Sequence, residues 1–404
     1  MKISTIIESI QQAKRGFSTG LAELVFPTIA LIGSAAIVTP AWSQSSPAEE
    51  LFVIGTDSQV YAHKLDAKGN PLGDYFLVQS GQVRALATVD TASSAASAAG
   101  TAEIFVIGTD SQVYFKQFNS GGDAASNYSL VPGQVSAILP VASLIGSGSS
   151  SSLVIQLFVI GTDGQVYVHQ FDHNGNPVGG YAPIPGVVKA IAAGHAQSGS
   201  SPLLFVIGTD SKVYMHKFDI NLNPTGAYIP VPCMAGAAPC PVEAITSQTG
   251  NPVAVATGAD GQVWVQRFDG NANPRGSFEA VQDAPTILNQ VKGVSVSSVN
   301  PFSAGSWPTY NPTDRSLLFV IGTDNQVYEH LFDAGGNPLG QYVTIPGVIT
   351  AIYAHHELFA IGPDHQVMLH KIDQFGAPLG SYITIPNQVK AIGGEVFLPP
   401  FPIT

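Results

Sequence analysis

The apolar and polar positions of this chain follow a pattern that recurs. Leu157, Phe158, Val159 and Ile160 form an unbroken apolar run, as expected of a strand covered on both faces. The polar break Gly161-Thr162-Asp163-Gly164-Gln165 then supplies turn chemistry. From Gln165 to Phe171 the pattern alternates, with Tyr167, His169 and Phe171 on one face of a second strand and Val166, Val168 and Gln170 on the other. Asp172 to Pro177 reads as a turn, Tyr181 to Ile184 as a third strand, and Pro185-Gly186 as another turn. Val188 to Gly194 is a fourth strand that begins the next unit, and its small residues suit a crowded inner position.

The aspartate of the first turn returns as Asp57, Asp110, Asp163, Asp210, Asp260, Asp324 and Asp364, at spacings of 53, 53, 47, 50, 64 and 40 residues. Strand-rich, glycine-punctuated repeats of this length predict a β-propeller of four-stranded blades. The fold class is therefore all-β, with seven blades over residues 44–404. Seven inner-strand segments open at Val83, Val135, Val188, Val242, Val291, Ile349 and Val389. No apolar strand follows the last of them, so the sequence predicts that it pairs with the N-terminal strand at Leu51 and closes the ring. Three Ser/Ala/Gly-rich insertions, Asp90 to Glu103, Pro140 to Gln156 and Ser298 to Ser316, fall between inner and apolar strands and read as flexible decoration of one face. The other face carries the aspartate turns and is the expected ligand side, together with the grooves between blades.

Composition narrows the function. The 404 residues are 45% hydrophobic and 11% charged, enough apolar material for a core, and the formal charge of −12 disfavours nucleic acid and anionic membranes. Lys14 and Arg15 precede an apolar stretch from Leu24 to Val38 and the small residues Ala41 and Ser43, which predicts a signal peptide over residues 1–43 and a secreted, periplasmic or cell-envelope location. The only two cysteines, Cys233 and Cys240, share one short loop and are expected to form a disulfide, in keeping with an oxidising compartment.

The run Leu-Phe-Val-Ile-Gly-Thr-Asp-x-Gln-Val-Tyr, followed by Gly-Gly-Tyr-x-x-Ile-Pro-Gly, resembles the blade motif of bacterial seven-bladed propeller lectins and of the wider tachylectin and tectonin group. The resemblance spans residues 51–396. It implies repeated sugar pockets between blades and partners that are neutral glycans or glycoconjugates. The chain departs from that group in having Trp264 as the only tryptophan within its repeats; the third-strand aromatics are Tyr75, Tyr128, Tyr181, Tyr228, Phe278, Tyr342 and Tyr382.

One position of the alternating strand reads His63, Lys116, His169, His216, Gln266, His330 and His370, a ring of hydrogen-bond donors. The expected ligand-binding set is His63, His169, His216, His330 and His370 with Tyr181, Tyr228 and Trp264. The bland alternative is that these donors satisfy backbone at a blade interface, and that the turn aspartates accept local N–H bonds. Asp66-x-Lys68-x-Asn70 and Asp172-x-Asn174-x-Asn176 have the opening of a calcium loop without its terminal Glu. The set His355, His356, Glu357, Asp364, His365 and His370 is read as chance clustering. No metal, cofactor or catalytic residue is therefore assigned. No nucleophile elbow, phosphate loop or zinc-protease helix is present, so a binding protein is expected rather than an enzyme. The second reading is a protein–protein scaffold at the cell envelope.

Overall fold

The computed structural model describes residues 47–397, apart from 67, 91–101, 119–121, 146–151, 173–174, 196–201, 220, 234–241, 248–252, 270, 282–290, 299–314, 334, 355–356 and 374. The segment expected to be a signal peptide, Cys240 of the expected disulfide, and His355 and His356 lie outside these residues. The described residues form antiparallel strands and no helix.

Each turn aspartate marks one four-strand unit, numbered here 1 to 7 along the chain. Unit 3 shows the pattern. Its inner strand is the second half of Ser129–Ile145, followed by the apolar strand Ser152–Gly161, the alternating strand Gln165–Phe171 and the outer strand in Pro177–His195. Each strand pairs with the next. The run Pro177–His195 then continues as the inner strand of unit 4. The Pro185-Gly186 turn predicted from sequence is thus a bend within one extended run. Gly186 takes φ 139°, a conformation that favours glycine.

The apolar strands are apolar throughout because both their faces are covered. Odd and even residues of each strand enter different clusters. Phe52 and Ile54 pack with Ile104, Val106 and Phe118 of unit 2, whereas Leu51 and Val53 pack with Phe359, Ile361, Val367 and Leu369 of unit 7. Seven such clusters each join two units.

The strand Pro378–Phe397 also pairs antiparallel with Pro47–Gly55, matching Val389 to Gly55, Ala391 to Ile54 and Ile392 to Val53. Around the molecule each inner strand touches the next, and the strand that begins at Val389 touches the one at Val83.

Polar clasps reinforce the joints. The turn Asp66–Asn70 of unit 1 is gripped by Lys371 of unit 7, whose Nζ donates to the Lys68 carbonyl and to Asn70 Oδ1, both at 2.6 Å. Lys217 of unit 4 reaches Asn271 O at 2.9 Å and Asn273 Oδ1 at 3.1 Å in unit 5. Gly175, in the equivalent turn of unit 3, sits on Glu103 and Gln117 of unit 2. A Cβ there would lie 1.7 Å from Glu103 Oε1, and φ is +72°. Gly175→Ala should therefore cost more than about 2 kcal/mol in urea unfolding. A loss below about 0.5 kcal/mol would mean that this joint is looser than described.

One insertion differs from expectation. Val141 to Ile145 and Ser152 to Gln156 are not loose decoration but lengthen a hairpin, pairing Val141 with Gln156 and Ile145 with Ser152. Val141 and Ala142 are buried, and this apolar content outweighs the Ser/Gly composition of the tip.

Candidate ligand clefts between units

The turn aspartates organise the face that sequence reasoning favoured. Asp163 Oδ1 accepts the Gln165 N–H at 3.0 Å, and Oδ2 accepts the Tyr167 hydroxyl at 2.7 Å and Gln165 Nε2 at 3.3 Å. The Tyr167 hydroxyl, followed by the Gln165 N–H, holds the Asp163 carboxyl below its ordinary range. Asp57, Asp110 and Asp324 accept the same tyrosine bond. The next residue takes left-handed φ in each turn, for example Ser58 at 67° and His365 at 62°. These carboxylates are first of all turn formers, in agreement with the bland reading.

The second aspartate series is likewise satisfied from within. Asp66 Oδ1 accepts the backbone N–H of Lys68 and of Asn70, both at 2.8 Å, and Asn70 Nδ2 binds Oδ2 at 2.8 Å. Asp219, Asp269 and Asp333 repeat the arrangement. The apparent calcium loop is an Asx turn closed by the asparagine ahead of its proline.

The structure places the five histidines beneath the surface. His63, His169, His216, His330 and His370 are all at most 5% exposed. Each ring packs on the outer-strand tyrosine of its own unit, with centroids 4.7 Å apart for His63–Tyr75, 4.9 Å for His169–Tyr181, 5.1 Å for His216–Tyr228, 4.5 Å for His330–Tyr342 and 4.9 Å for His370–Tyr382. Burial lowers the pKa of His63, His169, His216 and His370, against a small upward pull from Asp74 on His63 and from the Gly180 backbone on His169.

Unit 2 explains the slot. Lys116 replaces histidine there and reaches across the joint to Val78 O at 3.2 Å and Gln79 Oε1 at 2.9 Å. Where the other units carry histidine, the residue matching Gln79 in the preceding unit is Pro132, Pro185, Pro346 or Pro386, and Gln282 ahead of His330. In unit 2 the longer cation finds an acceptor in Gln79.

The tyrosines lie nearer the surface and are half-buried. A Cβ on Gly133 would approach the Tyr181 ring to 3.1 Å, and one on Gly186 would approach the Tyr228 ring to 2.9 Å. A Pro-Gly bend therefore caps the tyrosine of the following unit. Beside this cap, between units 2 and 3, opens a cleft of about 260 Å³ lined by Gly133, Gln134, Val135, Val159, Gly161, Thr162, Asp163, Tyr167 and Tyr181. Gln134 is exposed at its mouth. Trp264 occupies the slot held by Tyr167 in unit 3 and packs half-buried against the joint of units 4 and 5.

Of the expected site residues, then, Tyr181 lines the open cleft. Tyr228 is its counterpart one unit on, and the histidines stand behind the tyrosines. Sequence reasoning missed Gln134 and Thr162. The signal was present in the sequence, since glutamine recurs directly ahead of Val83, Val135, Val291 and Val389.

No family model matches the chain, and no curated protein matches it. Among solved structures it resembles the BP39L lectin from Burkholderia pseudomallei, with TM-score 0.60 and 16% identity over 85% of this chain and 96% of that one. At that identity the likeness carries the fold, a β-propeller, and nothing finer. AofleA from Arthrobotrys oligospora aligns with TM-score 0.45 and 13% identity over 77% and 88% of the two chains. The fucose-specific lectin from Aleuria aurantia aligns with TM-score 0.45 and 10% identity over 87% and 95%. The last two scores are too low to bear on the argument.

Proposed function

We propose that the chain is an exported lectin: a seven-bladed propeller of the tachylectin and tectonin type that binds neutral glycans weakly at several clefts between blades. Support for the closed ring comes from the pairing of Val389 to Ile392 with Val53 to Gly55 and from the cluster that joins unit 7 to unit 1. The single observation that carries the sugar reading is the cleft between units 2 and 3. It offers an aromatic ring, an amide, a carboxylate edge and a tyrosine hydroxyl within about 260 Å³. That volume is below the range of roughly 300–1,000 Å³ that encloses drug-sized ligands. It suits one sugar ring, whose hydroxyls want mixed donors and acceptors and whose C–H face wants an aromatic.

In the sequence, the cleft's residue set recurs complete in four units. It reads Gln388, Thr56, Asp57, Tyr61 and Tyr75; Gln82, Thr109, Asp110, Tyr114 and Tyr128; the Gln134 set; and Gln290, Thr323, Asp324, Tyr328 and Tyr342. It breaks at the other three, where Val187 and Val348 replace glutamine, Met368 replaces the first tyrosine, and Trp264 and Phe278 replace both. Four weak sites on one rigid body gain strength through multivalent presentation, by a factor on the order of 10² or more.

The test is calorimetry with a panel of neutral monosaccharides on the intact protein. About four equivalent sites per chain are expected. Gln82→Ala, Gln134→Ala and Gln388→Ala should each remove one site without shifting the melting temperature. His216→Ala, by contrast, should lower the melting temperature and leave the count unchanged. An absence of binding to any neutral glycan, with capture of a defined protein from an envelope extract, would favour the scaffold instead.

A further inference from the structure

A second ring of side chains lies nearer the centre, at the residue after the one that opens each inner strand. Around the units it reads Lys390, Arg84, Ser136, Lys189, Glu243, Lys292 and Thr350, all of them exposed. Each opening residue is tied to the aspartate turn of the unit before it, as in Val188 N to Gly164 O at 2.9 Å and Val389 N to His365 O at 2.8 Å. The slot therefore sits on the turn face, around the line that the inner strands surround.

Four of these seven positions are cationic, in a chain with 16 lysines and arginines in 404 residues and a formal charge of −12. At that frequency fewer than one cation would be expected in seven slots. Six of the seven side chains donate a hydrogen bond to a nearby turn or strand oxygen. Lys189 Nζ binds Ser211 Oγ at 2.7 Å, Lys292 Nζ binds Asn325 Oδ1 at 2.6 Å and Thr323 O at 3.2 Å, Lys390 binds Ser58 Oγ, and Arg84 binds Val135 O.

A neutral hydroxyl does the same work elsewhere in the ring. Ser136 Oγ donates to Ile160 O at 3.2 Å, and Thr350 Oγ1 donates to Ile361 O at 3.0 Å. The hydrogen bond made in this slot thus does not need a charge, and Glu243 shows that unit 5 fills the slot with an acceptor instead. Among the described residues, the hydrogen-bond partners of the four cations are all neutral oxygens. Other cations of the chain are paired with carboxylates, as in Lys212–Asp210, Lys64–Asp123 and Arg267–Glu279. The carboxylates that share the face are Glu243, within the ring, and the turn aspartates further out. Asp57, Asp110, Asp163, Asp210 and Asp324 are each already bound by their own turn N–H and a tyrosine hydroxyl.

We propose that Arg84, Lys189, Lys292 and Lys390 form one central site for a compact polyanion on the turn face, distinct from the neutral-sugar clefts. Its ligand class is a group of clustered oxyanions, such as sulfates or phosphates carried close together. The site rests on the ring reading given above, since only a closed ring brings the four cations around one centre. Flexible cations spaced around a circle suit several oxygens at once, and such attraction is screened by salt.

The experiment uses inorganic tripolyphosphate as probe, titrated calorimetrically into the intact protein at low ionic strength. One ion per chain is expected, with affinity falling at least tenfold between about 20 and 200 mM salt. Lys189→Ser and Lys292→Thr copy the hydroxyls of blades 3 and 7 and should each weaken binding about three- to tenfold. The quadruple variant with Arg84→Ser and Lys390→Ser added should bind none, while melting within a few degrees of the parent and keeping its neutral-glycan sites. Binding that survives in the quadruple variant, a stoichiometry of several ions per chain, or no binding by the parent would each overturn the site. A quadruple variant that loses glycan binding and cooperative melting together would point to failure of the ring itself. In that case the single Lys189→Ser and Lys292→Thr variants decide the central site, by weakening the ion or leaving it unchanged.

Discussion

A chain shortened to end at Gln388 should lose its cooperative melting transition or melt more than about 10 °C lower. The segment removed supplies the strand that pairs with Leu51 to Gly55. Leu51 and Val53 are fully buried, and Val389 packs with them in the cluster shared by units 7 and 1. Uncovering a buried leucine, valine or isoleucine costs about 1.5–3 kcal/mol each, so a few of them consume most of a typical stability margin of 5–15 kcal/mol. The deletion also removes the Val389 N–H bond to His365 O and frees one edge of the Pro47–Gly55 strand for pairing with another chain. Aggregation on concentration is the expected companion. Differential scanning calorimetry with light scattering reads both effects, and a monomer that melts near the parental temperature would rule out this register. Lys371→Met loosens the polar clasp at the same joint without removing a strand, and it should lower the melting temperature by only a few degrees.

The strand plan was legible because each signal is local. Four apolar residues, a turn with a left-handed position and a short alternating run fix two of the four strands in every unit and the turn that joins them. The turn aspartates were legible for the same reason, because their partners sit two and four residues ahead. What sequence reading could not supply is what covers each face. Alternation put Tyr167, His169 and Phe171 together, and a polar residue among aromatics reads as half-exposed. In a stack of blades that face meets the preceding unit, so His169 ends at 5% exposure and the open surface falls to Tyr181 and Gln134. The clasps were invisible for a related reason, since Lys217 and its acceptor Asn271 are 54 residues apart. The Pro140–Gln156 insertion was misjudged on composition, when the apolar residues at its base decide that it pairs.

Burial of titratable groups at these joints predicts a stability maximum in mild acid, on two opposing limbs. Glu50 and Glu103 hold the same position at the head of the apolar strand, and burial raises both pKa values to about 8, outweighing the nearby Lys64 for Glu50 and the Gln117 bond for Glu103. Glu329, in a slot that is apolar in the other units, is raised to about 8, and Glu357 to about 7, again by burial first. A carboxyl whose folded pKa lies above its unfolded value of 4.5 favours the folded state fully below pH 4.5, and that contribution is lost as pH climbs through 7 to 8. The histidines act in the other direction. The folded pKa values of His63, His169, His216 and His370 lie below the ordinary 6.5, so the unfolded chain takes up protons that the folded chain refuses, and stability falls as pH drops beneath 6.5. Melting temperature should therefore peak between about pH 5 and 6.5 and decline on both sides. Glu103→Gln isolates the alkaline limb, because Gln156 already fills that position in unit 3 and donates to Leu222 O at 3.1 Å in the next unit. The variant should melt higher than the parent at pH 8.5, by several degrees, with the difference vanishing at pH 4.5. A gain of the same size at both pH values would show that the effect is packing, and that Glu103 is not protonated in the folded protein at neutral pH.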